Sequence, residues 1–214
     1  MKQNSPKNNA LPENPSLETI LKHVEGNNDF QTELNNHFSS SYQKALFIMS
    51  DLVWKKYRNQ SLTEVRAHMN DAAFHLYVAY QAIGCAQSGG WAVGVFGNTP
   101  QLIPFIPDAF EDLGWGTAVE AFNRTVDAFP EGTIFNLNDK DYIDILNFIE
   151  NPRRKIEHPK LLQYSKTERE QYCHNYEQCI VRLEEITDAL WVDNKEWSII
   201  THYYNDNLQK RIWE

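Results

Sequence analysis

Apolar residues in this chain recur every third or fourth position in segment after segment. That period builds helices with one buried face and leaves little room for strands. Ser16 caps a short helix with Leu17, Ile20, Leu21 and Val24 on one stripe, closed by Gly26. Tyr42, Ala45, Leu46, Met49, Leu52 and Val53 mark a helix over 40–58. Ser61 and Glu64 have the spacing of a capping box. They predict the start of one long helix carrying Val65, Met69, Ala72, Ala73, Leu76, Ala79, Tyr80 and Ile83 and ending near Ser88. A second box, Thr117 with Glu120, opens a helix that stops at Pro130, and Asn138 caps another over 139–150. A third box, Ser165 with Glu168, opens 166–190, and Asp193 caps a last helix through Trp197, Ile200 and Tyr204. No hairpin turns or solenoid repeat interrupt this order. The fold expected is all-α, a compact array of about seven to nine helices.

Residues 89–107 stand apart, with four glycines and three prolines. Pro100, Pro104 and Pro107 prevent one continuous helix, so an ordered loop is expected. The run Gly89, Gly90, Trp91 to Phe96 and Asn98 is glycine-rich, but no Gly-Lys-Ser/Thr follows it and no strand precedes it, so neither phosphate-binding motif fits. Its glycines, with Gly114 further on, turn the backbone, while Trp91 and Phe96 fill the core. Asp108 is expected to cap the turn that Gly114 stops.

The 214 residues suit a disordered tail over 1–15 and a single helical domain over 16–214. No run of about 18 apolar residues is present, which excludes a membrane span. The first residues lack the apolar stretch of a secretory signal. Cys85, Cys173 and Cys179 are an odd number and form no disulfide framework, which points to a reducing cytoplasm. The net charge of −9 is unevenly spread: residues 67–151 carry −9, and 152–166 carry +4. Such a chain repels a polyanion, so direct nucleic-acid binding is not expected, and its middle attracts a basic partner.

His68, Asp71 and His75 fall three and four apart, a spacing that presents two imidazoles and a carboxylate from one helix face. No fourth ligand accompanies them, so boundary histidines are the expectation, with no metal and no cofactor. Cys173, His174 and Cys179 match no zinc pattern, and nothing identifies a base partner or an oxyanion site for a Cys–His nucleophile pair; Cys179 lies on the apolar stripe and is expected to pack in the core. The carboxylates are more telling. Asp108, Glu111 and Asp112 lie within one turn, Glu120 and Asp127 are seven apart, and Glu131 and Asp144 follow. Helix-dipole complementation explains only some of them. The rest predict an acidic face, solvated or facing a partner.

Three segments carry a resemblance. The first is the Gly-Gly-aromatic loop ending in Phe96 and Asn98. The second is Ala109-Phe110-Glu111-Asp112-Leu113-Gly114 with Ala118, Ala121, Phe129 and Pro130. The third runs from Leu183-Glu184-Glu185-Ile186 to Tyr203-Tyr204-Asn205-Asp206-Asn207. Over about 40–207 the chain resembles the bacterial DNA-mimic protein family, an acidic all-helical domain of unknown function. Residues 137–166, with Arg153, Arg154 and Lys155, read as an insertion in that pattern. The resemblance implies a homodimer that engages a DNA-binding transcription regulator through its acidic surface, with no catalytic residue. Two other classes stay open: an immunity- or antitoxin-like binding module, and a metal-dependent hydrolase using His68, Asp71 and His75.

Overall fold

Ser16 opens the first helix, α1 (Leu17–Glu25), its Oγ accepting from Thr19 N at 3.1 Å. Leu17, Ile20, Leu21 and Val24 are buried on the expected stripe. Helix α2 (Ser41–Tyr57) packs against α1 and begins with a reciprocal box of Ser40 and Gln43. The Ser61–Glu64 box forms as predicted, with Ser61 N donating to Glu64 Oε2 at 2.7 Å. It opens only α3 (Leu62–Arg66), however, and not one long helix. The chain leaves the helix at 67–70 and restarts as α4 (Asp71–Gly89), where Asn70 Oδ1 accepts from Ala72 N. Met69 N still donates to Val65 O at 3.1 Å, but other backbone groups of 68–70 are committed elsewhere. Met69 bridges Trp213, Asn70 N donates to Ile212 O at 2.9 Å, and His68 O accepts from Glu214 N at 3.1 Å. Groups bonded to a distant segment cannot also make i→i−4 bonds.

This computed structural model describes residues 10–27, 38, 40–191 and 195–214. Among them are nine α-helices and no strand, so the all-α class holds. The chain divides into two compact units, 1–77 with 200–214, and 78–199.

In the first unit the buried hydroxyl of Tyr204, on α9 (Lys195–Asp206), donates to Leu17 O at 2.8 Å. Residues 13–15 are not a loose tail. Ile212 N donates to Pro15 O, Trp213 N to Asn14 Oδ1, and Trp213 Nε1 to Glu13 O. Residues 1–9 of the expected tail and the expected cap Asp193 lie outside the described residues.

The second unit corrects the expected loop. Gly90–Gly97 is a π-helical segment that continues directly from α4, and Pro100–Phe105 is a 3₁₀ helix. Helix α5 (Ile106–Asp112) follows at once. The prolines exclude α-helix but sit comfortably in short 3₁₀ turns and at a helix start. Beyond lie α6 (Gly116–Asp127), α7 (Lys140–Glu150) and α8 (Lys166–Trp191), the last opened by the Ser165–Glu168 box. Helix α8 packs against both α6 and α7. The wide π turns send Trp91 and Phe96 fully inward, as expected of them. Trp91 Nε1 donates to Thr187 Oγ1 at 2.9 Å, and Tyr142 Oη donates to Phe96 O at 2.6 Å. Tyr142 belongs to the segment read as an insertion, so that segment contributes to the core of the unit.

Candidate functional site

Formal charge divides sharply between the units. In 1–77 with 200–214, ten basic side chains balance ten acidic ones, whereas 78–199 has ten basic against nineteen acidic. The whole excess of nine negative charges therefore belongs to the second unit, which carries every carboxylate proposed for the acidic face.

Asp108, Glu111 and Asp112 are exposed on α5. The Thr117–Glu120 box expected at the next helix does not form. Helix α6 starts at Gly116, two residues earlier than the box requires, with buried Trp115 in the capping position and no side chain capping it. Glu111 reaches that end instead, with Oε2 3.9 Å from where a Cβ on Gly116 would stand. A carboxylate there complements the positive end of the helix. Asp108 likewise makes no side-chain cap for α5, whose capping position is Phe105.

Glu120, freed from capping, lines a groove of about 750 Å³ between α6 and α8. Arg124, Arg182 and Glu185 share that groove, above a floor that includes Ala121 and Ile186. Half-buried Cys179 also lines it. Burial pushes its thiol pKa up, Arg124 opposes the shift and Asp127 adds to it. Glu131 is exposed in a turn ahead of Gly132, whose φ is +77°.

Asp144 departs from the group. Its Oδ2 accepts from the backbone N–H groups of both Glu157 and His158 at 2.6 Å, fastening the loop after α7. Asp144→Ala is expected to destabilise the chain by about 1–3 kcal/mol, because two donors lose a charged acceptor. Urea denaturation and faster amide exchange at Glu157 and His158 would register it. The neighbouring basic cluster is largely paired internally: Arg154 with Asn147 and Glu150, and Lys155 with Glu157 at 2.8 Å. Arg153 is exposed.

The three candidate metal ligands do not converge. The break at 67–70 takes His68 off α4, where its ring stacks on Tyr57 at 5.8 Å. Asp71 pairs with Arg66 at 2.5 Å, and His75 lies beside Phe74. Among the described residues no group of three such side chains is placed to hold a metal.

Of the glycines expected to shape the turns, Gly90 has φ +70° and Gly114 has φ +83°, whereas Gly89 and Asn98 are exposed residues with negative φ at the two ends of the π segment. The most constrained glycine, Gly94, gives no such signal in the sequence. A Cβ there would stand 2.0 Å from Cys85 O. Sequence reasoning also misses Glu196, a carboxylate only 1% exposed. Its Oε1 accepts from Gln87 Nε2 at 3.3 Å, its Oε2 has no partner, and burial raises its pKa.

Compared with protein-family models, curated proteins and solved structures, the chain matches none of them. Among the described residues no helix is long and apolar enough to cross a membrane.

Proposed function

We propose that this chain is a non-enzymatic interaction protein of the DNA-mimic type. It presents the carboxylates of 108–131 to the basic surface of a DNA-binding protein and competes with DNA for that surface. The observation that supports this reading is the state of those side chains. Asp108, Glu111, Glu120, Asp127 and Glu131 are all exposed and make no ion pair among the described residues, in a stretch whose only basic residue is Arg124. An unneutralised run of this kind steers a basic partner at long range and repels duplex DNA. The protein acts as a homodimer in a reducing cytoplasm, where its three free cysteines stay reduced.

The test is Asp108→Asn combined with Asp127→Asn. Stability should change by less than about 0.5 kcal/mol, since both groups are exposed. Association with the basic partner, identified by capture from the native host, should slow by about three- to tenfold at low salt, and its salt dependence should flatten. An unchanged salt slope would defeat the mechanism. Sub-micromolar binding of the wild type to duplex DNA in a gel shift would defeat it too. The balanced charges of the α6–α8 groove favour one other reading, an immunity- or antitoxin-like module for a neutral partner. Salt-insensitive binding identifies that case.

A further inference from the structure

A second hollow in the same unit, about 340 Å³, lies where the π segment meets α8. Its size is at the low end for a small-molecule site. Trp91 and Trp191 form its aromatic wall, with rings 16° from parallel and centroids 6.5 Å apart. Glu184 and Asp188 supply the polar side from successive turns of α8. Neither makes an ion pair among the described residues, and no lysine or arginine lines the hollow. Like charges four apart weaken a helix, so this pair works against α8.

Two details show how the wall is built. Oε1 of Glu184 lies 3.0 Å from where a Cβ on Gly90 would stand, so the carboxylate folds into space that any other residue would fill. Gln87, also in the wall, has its amide N–H committed to Glu196, the buried carboxylate whose second oxygen lacks a donor. The hollow itself presents two carboxylates, with Glu196 behind its Gln87 wall. A buried polar atom without a partner is uncommon in native proteins.

We propose that this hollow binds a guanidinium group, stacked on the Trp191 indole and bonded to the carboxylates of Glu184 and Asp188. Guanidinium is planar, weakly hydrated and rich in donors, and it stacks on indoles. It matches two carboxylates beside an aromatic face better than a compact metal ion does. The site shares no residue with the 108–131 face and does not depend on it.

The experiment follows the indole N–H resonances of the ¹⁵N-labelled full chain, with Trp191 assigned through Trp191→Phe. The probe is N-acetyl-argininamide, titrated against N-acetyl-leucinamide in sodium chloride of equal ionic strength. A saturable shift at Trp191 with the arginine probe alone is expected. Glu184→Gln with Asp188→Asn should weaken binding at least tenfold while melting at the same or a higher temperature. Shifts that do not saturate, or that survive the double substitution, overturn the proposal. An alanine peptide containing one arginine separates the sources: tenfold tighter binding than the amide means a protein side chain, and equal affinity means a free guanidinium compound. Asp108→Asn with Asp127→Asn should leave the titration unchanged, so failure of either proposal is read separately.

Discussion

Gly94→Ala is expected to prevent the second unit from folding, or to cost at least about 3–5 kcal/mol if it folds. The new methyl carbon would stand 2.0 Å from the carbonyl oxygen of Cys85 and 2.7 Å from its carbon. Both are backbone atoms of α4, so no side chain can swing aside. Relief requires moving either the end of α4 or the π segment that carries Trp91, Val95 and Phe96 into the core. A glycine ten residues earlier makes the control. Gly84 is exposed within α4 and has nothing within 4 Å of its absent Cβ. Gly84→Ala should therefore stabilise the chain by about 0.5–1 kcal/mol through helix propensity alone. Circular dichroism melts of the two variants should diverge in opposite directions. A Gly94→Ala protein that melts with wild type would show that the close approach is not rigid.

Trp91→Ala should have the next largest effect, about 3–5 kcal/mol. The side chain is fully buried and meets Phe110 at 6.1 Å and Phe122 at 5.6 Å, both edge-on. It also donates to Thr187 Oγ1, which itself donates to Leu183 O at 2.9 Å. Trp91→Phe separates the two contributions. It retains most of the apolar volume and removes the indole donor, so it should cost about 1–2 kcal/mol. Trp54, 62% exposed on α2, offers the contrast, and its replacement by alanine should shift stability by no more than about 0.5 kcal/mol. Urea denaturation of the three variants measures all of these. Equal losses for Trp91→Ala and Trp54→Ala would remove Trp91 from the core.

Where local chemistry decides the structure, the sequence is easily read. Ser16, Ser61 and Ser165 each bond the backbone at the helix start that their neighbours predict, because a cap needs only residues within one turn. The Thr117–Glu120 pair satisfies the same pattern and fails, because the helix starts two residues earlier, with buried Trp115 in the capping position. The long helix predicted from Ser61 fails for a different reason: 68–70 bond to 212–214, partners more than 140 positions away. No period in the sequence reports such a pairing. The prolines of 100–107 announce a departure from α-helix but not the 3₁₀ turns that replace it. Of the acidic face, the exposure of Asp108, Glu111, Glu120, Asp127 and Glu131 agrees with their lying off the apolar stripes. The commitment of Asp144 to a loop 13 residues later lay beyond any local pattern. The hollow beside Trp191 was equally hidden, since Gly90, Gln87 and Glu184 come together only in the fold.

The stapling of residues 13–15 to 212–213 has a consequence for the order in which the protein is made. On the ribosome α1 emerges early, yet the segment that bonds Leu17, Glu18 and Asn70 lies at 208–212. All of 78–199 is translated in between. At about 5–20 residues per second that interval lasts on the order of ten seconds. Through that interval the first unit waits with part of its apolar surface unsealed. A nascent chain stalled before residue 208 thus offers a protease an unfinished beginning whose closing segment has not been made.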